Sequence, residues 1–332
     1  MEKLVSIIIL NYNKYYYTLE CLKSLQKQTY KNFEVIVVDN GSKKNLYLKL
    51  KKELNQFENI LKIFLIRNER NLYFASGNNK GMKIATGDYF CLLNNDTIVE
   101  PDLIEKMVEF MENNQDAGMI SPKIRIYRNK NYMYYGGGEI NIRSSYVATP
   151  KGIWEKETKN EKYNKITPTD YAAGTVLFLR KRVTEIIGLL DEIYFMYFEE
   201  TDWNIRAKKN GFNIYYVPTT TVYHNITRNI NKNIFQQYFF NRNRQIFAWK
   251  HGTYIDLLIF YYRFVLMNFR SFLGILKNRS IYLIYLQLHS LIQGFRIGFK
   301  RRTNQSCKNI MIRNYYFIAE MQKKIQLFNL RN

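Results

Sequence analysis

The chain has 332 residues, a hydrophobic fraction of 46% and only 5 prolines, which excludes a disordered or collagen-like polypeptide and allows one large α/β domain plus an appended segment. Its 3 cysteines, Cys21, Cys91 and Cys307, lack CxxC spacing, so sequence alone supports neither a disulfide framework nor a zinc site. The net charge is +22, and residues 232–332 hold 17 Lys and Arg against Asp256 and Glu320, so the last third should attract polyanions, either nucleic acid or an anionic membrane face.

The opening run LVSIIILNYN turns polar too quickly for a secretory signal, and a cytoplasmic protein is expected. VSIIIL (5–10) reads as a strand, and TLECLKSLQKQ (18–28), apolar at 19, 22 and 25, as a helix. FEVIVVDNGS (33–42) reads as a strand running into a polar turn. A helix near 46–57, a strand at LKIFLIRN (61–68), a helix near 76–86 and a strand at YFCLLN (89–94) follow. This alternation predicts a parallel sheet with right-handed crossovers. From 118 to 225 the pattern is less regular: a glycine cluster YYGGGE (134–139), a basic stretch to about 168, and a strand near 175–180. A helix near 181–187, an acidic turn into a helix at 199–209 and a strand at 213–217 complete a mixed sheet.

Open parallel sheets bind ligands beyond the carboxyl ends of their strands. The residues just past those ends are Asn11 and Asn13, Asp39 and Asn40, Asn68, and Asn94-Asn95-Asp96. Asn, Asp and Gly are also ordinary turn residues, but four successive loops of this chemistry suggest a polar binding edge. The cluster Glu199, Glu200, Asp202 reads by itself as a helix start enriched in acids and stabilised by the macrodipole.

The motifs SIIILNYN, VVDNGS (37–42), NLYFASGNNKG (71–81), GDYFCLLNNDT (87–97), AAGTVLFLRKRV (172–183) and GLLDEIYFMYFEETDWNIRAKKNGF, ending in YYVPTTTVYHN, span residues 4–228. In order and spacing they resemble the family-two glycosyltransferases, inverting enzymes of GT-A fold, in the rhamnosyltransferase-like and galactofuranosyltransferase-like branch. The resemblance implies a Rossmann-like, mixed, mainly parallel α/β sheet flanked by helices over 1–230; residues 231–332 read from their own pattern as a C-terminal helical extension. It also implies transfer of a sugar from a UDP or dTDP donor to a glycan or lipid-linked acceptor, in cell-surface polysaccharide or glycan synthesis.

Carried over residue by residue, the resemblance places Asp96 at the metal-binding carboxylate of an Asp-x-Asp motif and Asn94 where its first Asp stands. A neutral amide brings hydrogen bonds but no charge to an ion. His224 matches the histidine ligand of Mn²⁺ or Mg²⁺, and Glu200 the general base, with Glu199 and Asp202 as neighbouring acids. Asn11, Asn13, Asp39, Asn40, Asn71, Gly77, Asn79, Asn94 and Asn95 match nucleotide-contacting positions, and Gly174, Thr175 and Trp203 the donor-sugar and acceptor side.

Beyond residue 230 the resemblance fades. Asp256, Arg263, Arg270 and Lys277 recur every seventh residue, and His289, Gln293, Arg296 and Lys300 at intervals of four, three and four. Each set predicts one polar stripe on an otherwise apolar and aromatic helix, without the ~20 uncharged residues of a membrane span. With FKRRT (299–303), these read as interfacial helices, peripheral on the cytoplasmic face of an anionic membrane. The alternative is packing on the catalytic domain or on a second copy in a homo-oligomer. Two rival functions are a nucleic-acid-binding protein and a scaffold that has lost catalysis through Asn94. The first lacks any nucleic-acid motif, and no nucleic-acid partner is expected.

Overall fold

The computed structural model describes residues 2–144, 147–157, 162–226, 234–277, 281–303, 307, 316–318 and 320–321. It divides into two compact units. The first comprises Met1–Ile140, Thr149–Phe195 and Glu199–Thr227, and the second Asn141–Ala148, Met196–Phe198 and Arg228–Asn332.

The first unit opens with β1 (Val5–Asn11), α1 (Tyr15–Leu25), β2 (Phe33–Asp39), α2 (Lys44–Leu54), β3 (Ile63–Arg67), α3 (Tyr73–Ile84) and β4 (Tyr89–Asn94). β5 (Thr97–Val99), α4 (Leu103–Asn113), β6 (Ala117–Ile126), β7 (Asn129–Tyr135), β8 (Gly138–Asn141), β9 (Val147–Pro150) and β10 (Thr167–Pro168) follow. β11 (Val176–Arg180), α5 (Lys181–Ile187), α6 (Glu199–Lys209) and β12 (Asn213–His224) close it.

The main sheet runs β10-β12-β6-β11-β4-β1-β2-β3, with β5 on β12 and β7 on β6. β3, β2, β1 and β4 are parallel, as the alternation predicts. β11 is antiparallel to β4 and β6, while β12 is parallel to β6, so the sheet is mixed.

The continuous apolar strands are explained by cover on both faces. In β1, Val5, Ile7 and Ile9 join a core with Leu22, Leu50, Leu103 and Met107, while Ile8 joins the opposite core with Met82, Val183 and Trp203. Helix α3 rests directly on β1. A Cβ at Gly77 would come within 2.6 Å of Leu10 Cδ1, and one at Gly81 within 2.5 Å of Ile8 Cγ2.

Several elements differ from the sequence reading. The observed α1 and α3 each start three residues earlier than expected, at Tyr15 and Tyr73. Helix α4 and the long strand β6 were not anticipated. α4 buries Leu103, Ile104, Met107, Val108 and Met111 on one face. β6 contains Pro122 and Lys123, which argue against an interior strand, yet Lys123 is buried because its ammonium pairs with Glu157 at 2.7 Å.

The second unit contains α7 (Ile234–His251), α8 (Tyr254–Lys277) and α9 (Ile281–Arg302). α9 packs closely on α7 where it is smallest: a Cβ at Gly294 would meet Arg242 O at 2.7 Å, and one at Gly298 the Trp249 ring at 2.5 Å. Asn243 Nδ2 donates to the carbonyls of Met196 (2.9 Å) and Tyr197 (2.8 Å). Tyr197 and Phe198 have left-handed φ values of 65° and 75°, unfavourable for bulky residues.

The expected polar stripes are only partly outward. Asp256 pairs with Arg143 at 2.6 Å, and His289 Nδ1 lies 3.0 Å from the Tyr238 hydroxyl, with its ring stacked on Phe317. The side chains of Arg270 and Lys277 lie outside the described residues. Instead Tyr254, Ile255, Leu258, Tyr262, Val265, Leu266 and Phe269 form an exposed apolar stripe along α8. Among the described residues, no helix is long and apolar enough to cross a membrane.

Candidate functional site

Strand register aligns Asn11 with Asp39 and Leu10 with Asn94, so the polar residues gather at the carboxyl edge of the parallel strands. Asn11 Nδ2 donates to Asp39 Oδ1 (2.8 Å) and Ser42 Oγ (3.3 Å), and its Oδ1 accepts from Thr18 (3.0 Å). Asp39 Oδ2 accepts from the Ser42 N–H and faces Arg67 Nε at 3.6 Å. Asn13, at φ 59°, caps the same turn by accepting from the Lys43 N–H. Gly41 has to be glycine: its φ is 76° and a Cβ would come within 2.3 Å of the Arg70 backbone.

Asn40, Asn71 and Asn79 have their amides committed to the chain. Asn40 donates to Asn71 Oδ1 and Tyr73 O, and accepts from Asn68 Nδ2 and the Leu72 N–H. Asn71 Oδ1 also accepts from the Tyr73 N–H. Asn79 donates to Leu190 O and Glu192 and accepts from the Leu190 N–H. These side chains tie loops together, and Gly77 serves helix–strand packing.

The Asn94–Asp96 turn has spare capacity. The Asn94 N–H donates to Thr175 O (3.0 Å) and its carbonyl accepts from Thr97 Oγ1 (2.6 Å), yet its side-chain amide makes no hydrogen bond among the described residues. Asn95 Nδ2 donates to Thr18 Oγ1 at 3.1 Å. Antiparallel pairing of β5 with β12 sets Thr97 opposite His224, which brings Asp96 Oδ1 to 3.1 Å from His224 Nε2 across 128 residues of sequence. The buried His224 Nδ1 has no hydrogen-bond partner, and the Tyr134 ring meets the imidazole edge-on at 4.7 Å. Beneath the turn, Cys21 Sγ lies 3.7 Å from Thr97 Oγ1, and burial pushes its thiol up to about 12.

Glu200 stands in the first turn of α6. Its Oε1 accepts from the Tyr171 hydroxyl at 2.9 Å, and its Oε2 is enclosed with no hydrogen-bond partner among the described residues. Burial raises the Glu200 carboxyl above its ordinary value, and hydrogen bonds from Tyr171, Glu199 and nearby backbone offset part of that rise. Gly174 is its close neighbour, since a Cβ there would lie 3.5 Å from Glu200 Cγ. The buried Thr175 side chain pairs with Tyr134, whose hydroxyl also feels the charges of Asp96 and Glu200.

The other acids of the cluster are placed differently. Asp202 is fully buried, accepts from Tyr194 at 3.3 Å and pairs with Arg206 at 2.8 Å, while Arg206 also binds the carbonyls of Ile187 and Leu189. Glu199 is buried beside Glu200. Trp203 is a core residue whose indole donates to Gly188 O at 2.9 Å.

Tyr134 and Tyr171 were missed in the sequence. The alternation in NKNYMYY, which buries Met133 and Tyr135 and leaves Tyr134 half-buried, is the signal that could have found the first. No local pattern marks Tyr171.

A mainly parallel sheet extended by antiparallel strands, with amides and the carboxylates Asp39 and Asp96 at its carboxyl edge and a further carboxylate, Glu200, on a facing helix, is the arrangement of the GT-A class of α/β proteins. The profile described as glycosyl transferase family 2 matches residues 6–185. The chain belongs to that family.

An uncharacterized glycosyltransferase of Haemophilus influenzae is 38% identical over 111 residues, 33% of each chain. The amylovoran biosynthesis glycosyltransferase AmsB of Erwinia amylovora is 28% identical over 226 residues, 67% of this chain and 70% of that one. The match spans 33%, 41% and 46% of the length of three curated relatives, from H. influenzae, Methanocaldococcus jannaschii and Streptococcus pneumoniae.

Among solved structures, S. aureus TarS 1–349 in complex with UDP-GlcNAc has a TM-score of 0.57 at 16% identity, covering 96% of this chain and 91% of that one. The mannosyltransferase PcManGT from Pyrobaculum calidifontis, in complex with GDP-Man and Mn²⁺, has a TM-score of 0.54 at 11% identity, covering 92% and 89%. At these identities the likeness establishes the fold.

Proposed function

We propose that the protein transfers a sugar, with inversion, from a UDP- or dTDP-sugar to a hydroxyl group of a glycan or lipid-linked acceptor. The observation that carries this reading is Glu200: one carboxylate oxygen is held by Tyr171, and the other is enclosed, unpaired and more basic than usual. In the step, Glu200 Oε2 takes the acceptor O–H proton while the acceptor oxygen attacks the anomeric carbon. The bond from that carbon to the diphosphate oxygen breaks, and its electron pair leaves with the diphosphate.

The residues fit a divalent ion in part. Asp96 and His224 offer one carboxylate and one imidazole at mutual contact, and no group of three or more His, Cys, Asp or Glu suited to a metal occurs among the described residues. Two protein ligands suit Mn²⁺ or Mg²⁺ when diphosphate and water supply the remaining oxygens. Such an ion would stabilise negative charge on the leaving diphosphate. The unpaired Asn94 amide is suited to a ribose or phosphate oxygen, and Asn11, Asn13, Asp39 and Asn95 shape the nucleotide edge. Asn40, Asn71 and Asn79 act through loop geometry.

The complexes of similar proteins with UDP-GlcNAc and with GDP-Man and Mn²⁺ support a nucleotide-sugar donor and a metal. A thermal-shift panel of UDP, dTDP, GDP and CDP, each with and without Mn²⁺, tests the reading. Metal-dependent stabilisation by one nucleotide is expected, and no shift with any of them would overturn it.

We also propose that the second unit binds an anionic membrane surface, placing the enzyme near lipid-linked acceptors. The exposed stripe of α8, where Leu258 is 74% and Tyr262 69% exposed, and the cluster Lys300, Arg301 and Arg302 at the end of α9 support this. Full-length protein should pellet with phosphatidylserine vesicles and lose that binding when Leu258 and Tyr262 are changed to Ser. Unchanged pelleting would turn attention to self-association.

A further inference from the structure

We propose that Tyr171 is a positioning residue for Glu200: its hydroxyl holds Oε1 and so fixes the orientation of the carboxylate, with Oε2 as the oxygen that takes the proton. This deepens the reading of Glu200 as general base and rests on it. The contact is a 2.9 Å hydrogen bond between side chains 29 residues apart, so it depends on how the segment before β11 is held against α6.

That segment is fixed at two further points. The Tyr135 hydroxyl donates to the Tyr171 carbonyl. One residue on, the fully buried Asn204 accepts from the Ala172 N–H at 3.1 Å and donates to the Ala172 carbonyl at 3.1 Å. Asn204 Nδ2 also donates to the Glu200 carbonyl at 2.7 Å. One amide therefore clamps the backbone beside Tyr171 to the backbone of Glu200, and the phenol is held at a fixed reach from the carboxylate.

The chemical effect follows from where this donor sits, on Oε1. A carboxylate has two equivalent oxygens, and free rotation would present either one. With Oε1 engaged by a donor that has no other hydrogen to give, rotation would cost that bond, so the proton-accepting lone pair stays on Oε2. The titratable groups around Glu200 are Tyr171 from the segment before β11, Tyr134 from β7, and Glu199 and Asp202 from its own helix. Among them Tyr171 donates to Glu200, and its own hydroxyl is pushed well above the ordinary tyrosine range by burial and by the Glu200 charge. It stays a donor at every working pH. Such a bond favours the ionised carboxylate, so removing it should make Glu200 harder to ionise.

The test uses the full-length protein and needs no substrate. The carbonyl stretch of protonated Glu200 is identified in infrared difference spectra by its disappearance in Glu200→Gln, and its amplitude is followed against pH. In Tyr171→Phe the midpoint should move upward by about one pH unit. Incorporation of 3-fluorotyrosine at 171 keeps the packing and strengthens the donor, and should move the midpoint downward. This second variant decides the matter if Tyr171→Phe does not fold. An unchanged midpoint in the fluorotyrosine protein overturns the proposal. If the midpoint moves but Glu200→Gln retains sugar transfer, the contact stands and the assignment of Glu200 as base fails. If Glu200→Gln is inactive but the midpoint does not move, only the role of Tyr171 fails.

Discussion

The two sides of the candidate site treat their polar groups differently. On the side built from β2 and α3, Asn40 and Asn79 use both ends of their amides within the chain. On the side built from β4, β12 and α6, Glu200 Oε2, His224 Nδ1 and the Asn94 side-chain amide have no hydrogen-bond partner among the described residues. Burying an unpaired polar atom costs folding free energy, so leftover atoms are retained where a ligand or a reaction compensates. On the function proposed above, residues of one motif set thus separate into those that hold loops and those that would face the chemistry.

The sharpest way to break this contrast is Glu200→Gln, which keeps shape and removes the base. Transfer should fall about 10³-fold while nucleotide-induced stabilisation persists, as measured by turnover and thermal shift. Because burial raises the carboxyl, the acidic limb of the wild-type rate profile should lie above the ordinary carboxylate range, with activity lost as pH falls through it.

Asp202→Asn tests the opposite category. Breaking the pair of fully buried Asp202 with partly buried Arg206 should cost about 3 kcal/mol in urea unfolding, with the folded fraction retaining transfer. Loss of transfer in a stably folded variant would move Asp202 to the chemical side. Asn79→Ala should cost about 2 kcal/mol of stability without changing the donor KM. The smallest expected effect is in His224→Gln, where Mn²⁺ enhancement of nucleotide affinity should fall about tenfold by calorimetry, with the metal-free affinity unchanged.

Much of this organisation was legible in the sequence, because period-two and period-3.6 patterns reflect faces that have to be buried. The four parallel strands and the gathering of Asn11, Asp39 and Asn94 at one edge follow from that logic. The division of labour among the asparagines did not, since Asn79 looks the same in sequence whether its amide meets a nucleotide or Leu190. Trp203, which the resemblance matches to the donor-sugar and acceptor side, lies instead in the core: one position along a helix turns a side chain by about 100°. β6 was obscured by Pro122 and by Lys123, whose burial depends on Glu157, 34 residues away. Long-range pairing of that kind leaves no local signature.

Cys21 gives the site a built-in clock. Its thiol sits on α1 against the Asn94–Thr97 turn, shielded and resistant to ionisation, so a thiol reagent reaches it only when the packing of α1 and the turn opens. The labelling rate at this sulfur therefore reports local opening beside the carboxyl edge of β4, and a ligand that steadies the turn should slow it.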